Sequence, residues 1–127
     1  AKFGQVIEDC MRKTDYPARY GGEEMTVILP ATKSNGAVIA AEKIRQAIQK
    51  VKLFDPTGNP IRKITISIGV AEFNGILDKT VEDMIRRADD ALYKCKEAGR
   101  NCIHINEAAG IIKYEPLETV ETVEIKA

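Results

Sequence analysis

Pro17-Ala18-Arg19-Tyr20-Gly21-Gly22-Glu23-Glu24-Met25-Thr26-Val27-Ile28-Leu29 reads as a β-hairpin. Two short runs, 17–20 and 25–29, flank a Gly-Gly-Glu-Glu tip, and Pro30 ends the second run. Gly21 and Gly22 have no Cβ, so the main chain there can lie against a phosphate. Glu23 and Glu24 are successive residues and point to opposite sides. One can therefore ligate a divalent cation while the other meets substrate or solvent.

The elements on either side follow from spacing. Phe3, Val6, Ile7, Cys10 and Met11 recur at helical intervals, and that helix must stop before Tyr16-Pro17. Ala1-Lys2-Phe3 enters the helical pattern without a capping residue, as though the sequence opens partway through an element. A second helix is expected over 34–51, with Val38, Ala41, Ile44, Ile48 and Val51 inward and Glu42, Lys43, Arg45 and Gln46 mostly solvated. Asp55 to Pro60 is a turn cluster. Ile64, Ile66, Ile68 and Val70 then alternate at period two, predicting a strand. Thr80 is placed to cap a third helix, traced by Val81, Met84, Ile85, Ala88, Ala91, Leu92 and Cys95 and terminated by Gly99.

Residues 101–105 are expected as a short final strand, and 106–127 as a tail or linker able to add one more. The order α-β-β-α-β-α-β defines an α+β fold, in which a mixed, partly antiparallel sheet packs with helices. The 127 residues suffice for one domain with its own core.

Nineteen basic and nineteen acidic residues balance to zero net charge, so no global field favours nucleic acid or a membrane surface. Phosphate recognition has to be local. Cys10, Cys95 and Cys102 are odd in number and form no CxxC, so neither a disulfide framework nor a zinc site is expected, and a reducing cytoplasm suits them. No apolar run approaches the ~20 residues that span a bilayer, and no signal peptide opens the chain.

Two further clusters complement the hairpin. In Asp89-Asp90-Ala91-Leu92-Tyr93-Lys94-Cys95-Lys96-Glu97-Ala98-Gly99-Arg100-Asn101, Lys96 falls in the last helical turn and Arg100 follows the terminating glycine. These cations can neutralise a helix C-terminus, or clamp a polyphosphate with a point charge and a fork. Arg12 and Asp15, at the exit of the first helix, form either a surface ion pair or a guanidinium set to grip phosphate or stack on a purine. His104, the sole histidine, alternates with Ile103 and Ile105 and is expected to be structural or exposed.

Together, Arg19-Tyr20-Gly21-Gly22-Glu23-Glu24-Met25, Ile66-Ser67-Ile68-Gly69-Val70-Ala71 and Ala88-Asp89-Asp90-Ala91-Leu92-Tyr93 continuing to Gly99-Arg100-Asn101 resemble the GGDEF domain of the diguanylate cyclase family. Three motifs in the family's order are far more specific than any one. The resemblance covers about 3–105, assigning 1–105 to the domain and 106–127 to the tail.

It implies a nucleotidyl-cyclase or palm-like fold that condenses two GTP molecules into cyclic di-GMP across a homodimer, for bacterial second-messenger signalling. Mg²⁺ or Mn²⁺ would be the metal. By resemblance Glu23 ligates that metal and supports deprotonation of the ribose hydroxyl, with Glu24 as the second acidic position. Gly21 and Gly22 match the phosphate-approach glycines, and Lys96 and Arg100 the phosphate-binding cations. Arg12 and Asp15 match the family's RxxD product-inhibition site, which holds a cyclic di-GMP dimer. The resemblance also implies an N-terminal sensory or receiver domain in the parent protein, a cytoplasmic location whether or not that parent is membrane-anchored, and no nucleic-acid or membrane contact by the domain itself.

Two departures stand out. Met25 replaces the usual Phe, a change between large apolar side chains. The family's first strand and following helix, which carry a metal-binding Asp and guanine contacts, have no counterpart in these 127 residues. The expectation is that this chain alone does not turn over GTP, and that its open sheet edge favours oligomers. A noncatalytic cyclic di-GMP- or GTP-binding regulatory domain is the alternative reading.

Overall fold

The computed structural model describes residues 2–21, 24–61 and 64–115. Within them the order is α1 (Lys2–Asp9), β1 (Tyr16–Gly21), β2 (Glu24–Ile28), α2 (Ser34–Gln49), β3 (Ile68–Ala71), α3 (Val81–Glu97), β4 (Ile103–Glu107) and β5 (Gly110–Lys113). The expected α-β-β-α-β-α-β succession is present, and β5 is added beyond it.

β1 and β2 form an antiparallel hairpin in which Tyr16 pairs with Ile28 and Gly21 with Glu24. The register slips between Pro17 and Arg19. Pro17 has no N–H to offer the ladder, so a bulge beside it is the natural accommodation. The remaining strands form a separate mixed sheet with β4 in the centre, parallel to β3 and antiparallel to β5. The mixed α+β architecture is therefore as anticipated.

The sheet is covered on both sides. Val38 and Ala41 of α2 pack with Val70, Ile103 and Ile105, while Ala37, Ile68 and Tyr114 close the edge of that cluster. Side chains alternate along β4, so His104 points the other way, toward Cys95 of α3. Ile103, His104 and Ile105 are consequently all buried, as in a strand with helices on both faces. Ile85, Ala91 and Cys95 are the buried residues of α3. Burial pushes the Cys95 thiol up to about 12 and holds His104 below its ordinary value, assisted at His104 by Lys113 and Lys94.

Gly69 sets how closely α3 sits on β3. A Cβ there would overlap the Ala88 carbonyl oxygen and lie 2.5 Å from the Leu92 nitrogen. Only glycine permits this backbone-on-backbone approach.

Both ends of α3 carry local stop signals. Thr80 Oγ1 accepts from Asp83 N at 3.2 Å and Asp83 Oδ2 accepts from Thr80 N at 3.1 Å, a reciprocal capping box. At the other end Gly99 turns left-handed at φ 103°, and Arg100 N donates to Cys95 O at 2.8 Å.

Three expectations need correction. The predicted strand over 64–70 is ordered as a strand only over Ile68–Ala71. Its partner β4 begins at Ile103, opposite Ile68, so the alternating residues before it have no ladder to join. The strand expected at 101–105 starts two residues later, because Arg100 and Asn101 both occupy left-handed backbone, at φ 69° and 51°. Finally, Glu42, Arg45 and Gln46 are only partly exposed rather than mostly solvated. Arg45 forks onto Glu42 at 2.8 and 2.7 Å and also donates to Asn101 Oδ1 at 2.8 Å, drawing this face of α2 against the α3–β4 turn.

Candidate functional site

The Arg12/Asp15 motif closes into a single unit. A turn hydrogen bond from Asp15 N to Arg12 O, 3.1 Å, brings the two residues face to face at the exit of α1. Arg12 Nε and Nη2 then fork onto Asp15 Oδ1 at 3.1 and 2.9 Å, and the Arg12 amide donates to Asp15 Oδ2 at 2.8 Å. Nη2 also reaches across to Thr32 Oγ1 at 2.7 Å and the Pro30 carbonyl at 3.1 Å, tying α1 to the segment after β2.

Exposure within the pair is unequal. The Asp15 side chain is 4% exposed and that of Arg12 57%. The aspartate is thus a buried brace and the guanidinium an outward group in a fixed orientation. Arg12 Nη1 makes no hydrogen bond among the described residues. Hydrogen bonding from Arg12, opposed by burial, holds the Asp15 carboxyl below the usual carboxylate range.

At the hairpin, Gly21 ends β1 and Glu24 opens β2, the two paired across the ladder. Gly22 and Glu23, between them, lie outside the described residues. The structure thus brackets the expected metal-binding position by the strand pair on either side. Carboxylate oxygens are hard donors, suited to a divalent cation that prefers oxygen ligands.

Lys96 lies in the last turn of α3, and Arg100 in the turn that follows. Arg100 is exposed and left-handed, a conformation that disfavours residues with a Cβ by roughly 1–2 kcal/mol. Neighbouring bonds impose it. Asn101 N donates to Ser67 Oγ at 3.0 Å, and Asn101 Oδ1 accepts from Arg45 and from Gln49 Nε2 at 3.1 Å. Backbone held away from its preference at an exposed cation is the kind of strain found at binding sites. The hairpin and the α3–β4 turn remain two separate elements, each carrying part of the expected site.

Sequence reasoning missed a second Arg–Asp fork. Arg87 Nε and Nη2 contact Asp78 Oδ1 and Oδ2 at 2.8 and 2.6 Å, and Arg87 Nη1 donates to Asn106 O at 3.2 Å. Nη2 also donates to the Glu72 carbonyl. Asp78 Oδ2 accepts from Asn74 N at 2.8 Å, which folds the β3–α3 loop onto this pair. Nine residues separate the partners, so no helical spacing announces them. Sequence reasoning also missed that Cys95, Cys102 and His104 converge beneath the α3–β4 turn.

A mixed sheet between helices, with a glycine-carboxylate hairpin and a cationic turn outside it, describes a nucleotide-cyclase-like domain. The family model "Diguanylate cyclase, GGDEF domain" matches residues 1–102. Diguanylate cyclase A of Treponema denticola is 39% identical over 107 residues, covering 84% of this chain and 28% of that protein. The GGDEF domain of DgcB from Caulobacter crescentus, solved in complex with c-di-GMP, superposes with TM-score 0.74 at 30% identity, covering 81% of this chain and 60% of that one. An active GGEEF domain of a diguanylate cyclase from Vibrio cholerae superposes with TM-score 0.71 at 30% identity, covering 84% of this chain and 65% of that one. The chain belongs to the GGDEF family. It spans between a fifth and a third of the length of the curated relatives it matches, 28% and 22% for the first two. Family membership implies a requirement for a divalent metal. No helix among the described residues is long and apolar enough to cross a membrane.

Proposed function

We propose that this domain condenses two GTP molecules into cyclic di-GMP, and that the observation carrying the reading is the uninterrupted Gly21-Gly22-Glu23-Glu24 run inside the family match over 1–102. The solved neighbour with the same Gly-Gly-Glu-Glu type of motif is described as active, which supports Glu at the third position as compatible with catalysis.

In this reading Gly21 and Gly22 admit the phosphates to the main chain, and Glu23 holds Mg²⁺ or Mn²⁺ while favouring loss of the ribose hydroxyl proton. Glu24, the second acidic position, contacts substrate. The metal, when bound, offsets charge on the phosphoryl oxygens. Lys96 and Arg100 clamp the phosphates from the α3–β4 turn, the constrained backbone at Arg100 supporting a preset direction for its fork.

Each active site condenses substrates held by two protomers, so the working unit is a homodimer. Arg12, steadied by Asp15 and Thr32, grips the product at a second site and slows the enzyme when cyclic di-GMP accumulates. Residues 1–105 make up the domain and 106–127 a tail that supplies the end of β4 and the whole of β5. A sensory or receiver module supplies the input.

The test uses the protein expressed from its whole gene, supplied with GTP and Mg²⁺. Cyclic di-GMP should accumulate, fall by at least about 100-fold in Glu23→Gln, and accumulate past the wild-type plateau in Arg12→Ala. Product binding with no turnover in the wild type would instead establish a regulatory receptor.

A further inference from the structure

Cys95 sits four residues before Gly99, where the left-handed turn over 99–101 begins, and Cys102 immediately follows that turn. Their thiols meet His104 inside the fold. His104 Nδ1 is 3.0 Å from Cys95 Sγ and 3.6 Å from Cys102 Sγ, and all three donor atoms lie within 4.8 Å of one another. Cys95 is fully buried and Cys102 and His104 are each 8% exposed, so the three donors lie together under cover.

We propose that Cys95 Sγ, Cys102 Sγ and His104 Nδ1 form a binding site for a thiophilic divalent cation, Zn²⁺, that clips the end of α3 to the start of β4. The site does not depend on the cyclase reading.

The donor set and its spacing both favour this ion. Two Cys and one His make an established zinc ligand set with a fourth corner open to water. With Zn–S near 2.3 Å and Zn–N near 2.0–2.1 Å, tetrahedral geometry separates sulfur from nitrogen by about 3.5 Å. The Cys102–His104 separation already meets that, and the Cys95–His104 separation needs to open by about half an ångström.

Charge selects the divalent ion. Binding converts Zn²⁺ and two Cys–SH into Zn(Cys–S)₂ with two protons released to solvent and no change in oxidation state. The resulting centre is neutral, which a buried site tolerates. Cu⁺ with two thiolates would leave a net negative charge in a low-dielectric environment. Because the ligands bracket residues 96–101, the ion would close the turn that carries Lys96 and Arg100 into a metal-locked loop.

The experiment titrates the reduced chain with Zn²⁺ against a chromophoric chelator, with proton release followed in weak buffer. The expected result is one Zn²⁺ per chain, close to two protons released, and a rise in the thermal midpoint. Cys95→Ala and Cys102→Ala should each weaken uptake by at least about 100-fold, and Cys10→Ser should leave it unchanged. Should a core variant fail to fold, X-ray absorption on the Zn²⁺-loaded wild type decides the question. Two sulfur neighbours near 2.3 Å support the site; a shell without sulfur overturns it. Absence of tight Zn²⁺ uptake, uptake indifferent to Cys95→Ala, or uptake of Cu⁺ in place of Zn²⁺ would each overturn it too.

Discussion

The molecule contains the same device twice, in opposite settings. Arg12 forks onto Asp15 and also reaches the Pro30 carbonyl; Arg87 forks onto Asp78 and also reaches the Asn106 carbonyl. In both pairs the aspartate is covered, at 4% and 0% exposure. The arginines differ, at 57% for Arg12 and 15% for Arg87. An arginine with its donors spent inward under cover is a clasp. One braced by a buried carboxylate but open on its outer face keeps a charge and a planar surface for a ligand. Exposure of the guanidinium, not the identity of its partner, is what distinguishes the two pairs.

The largest test of that contrast is Arg87→Ala. It leaves Asp78 charged, buried and unpaired, so about 3–5 kcal/mol of stability should be lost, read from urea unfolding. Arg87→Lys should recover only part, because an ammonium cannot make the two-armed contact. Loss no larger than that of an exposed helix substitution would refute the clasp.

Acid offers the next test. Arg87 hydrogen bonding holds the folded-state Asp78 carboxyl below its ordinary value, against the opposing effect of burial. The pair's contribution is therefore complete above the unfolded carboxyl value near 3.9 and is lost as pH falls through the lower folded value. Unfolding midpoints measured from about pH 5 to pH 2 should fall less steeply for Asp78→Asn than for the wild type.

Arg12→Ala should weigh more on binding than on stability. Its urea midpoint should fall by less than that of Arg87→Ala, because water can reach Asp15 from the side that the 57%-exposed Arg12 side chain vacates, while cyclic di-GMP affinity measured by calorimetry drops by at least about tenfold, the effect of losing one charge-assisted fork. Unchanged affinity would remove Arg12 from recognition. The smallest effect is expected for Thr32→Val, which removes one acceptor that steadies the guanidinium. A few-fold loss of the same affinity is expected, with no change in fold.

How far these features could be read beforehand depended on how local their causes are. The Thr80 cap and the Gly99 stop lie within one turn of the helix they bound, and both were visible as residue types at its ends. The N-terminus of α2 was not legible in that way. Lys33 makes no side-chain cap, and the Ser34 amide donates instead to Glu72 Oε1 at 2.7 Å, from the end of β3. Arg12 and Asp15, three apart, were paired from spacing; Asp78 and Arg87, joined across a loop, were not. The motif at 66–71 was recognised, yet the reason for its glycine emerged only when α3 was seen resting on Gly69.

Read alone, the chain established the family, the helices and the hairpin, because each follows from periodicity or from a short run of residue types. Tertiary structure decided which arginine is covered and which stays open on its outer face. It also decided that β3 is ordered only where β4 runs beside it, and that two thiols and an imidazole share one buried space. Those outcomes turn on burial and on contacts between segments far apart in the chain, and neither quantity exists until the elements have packed.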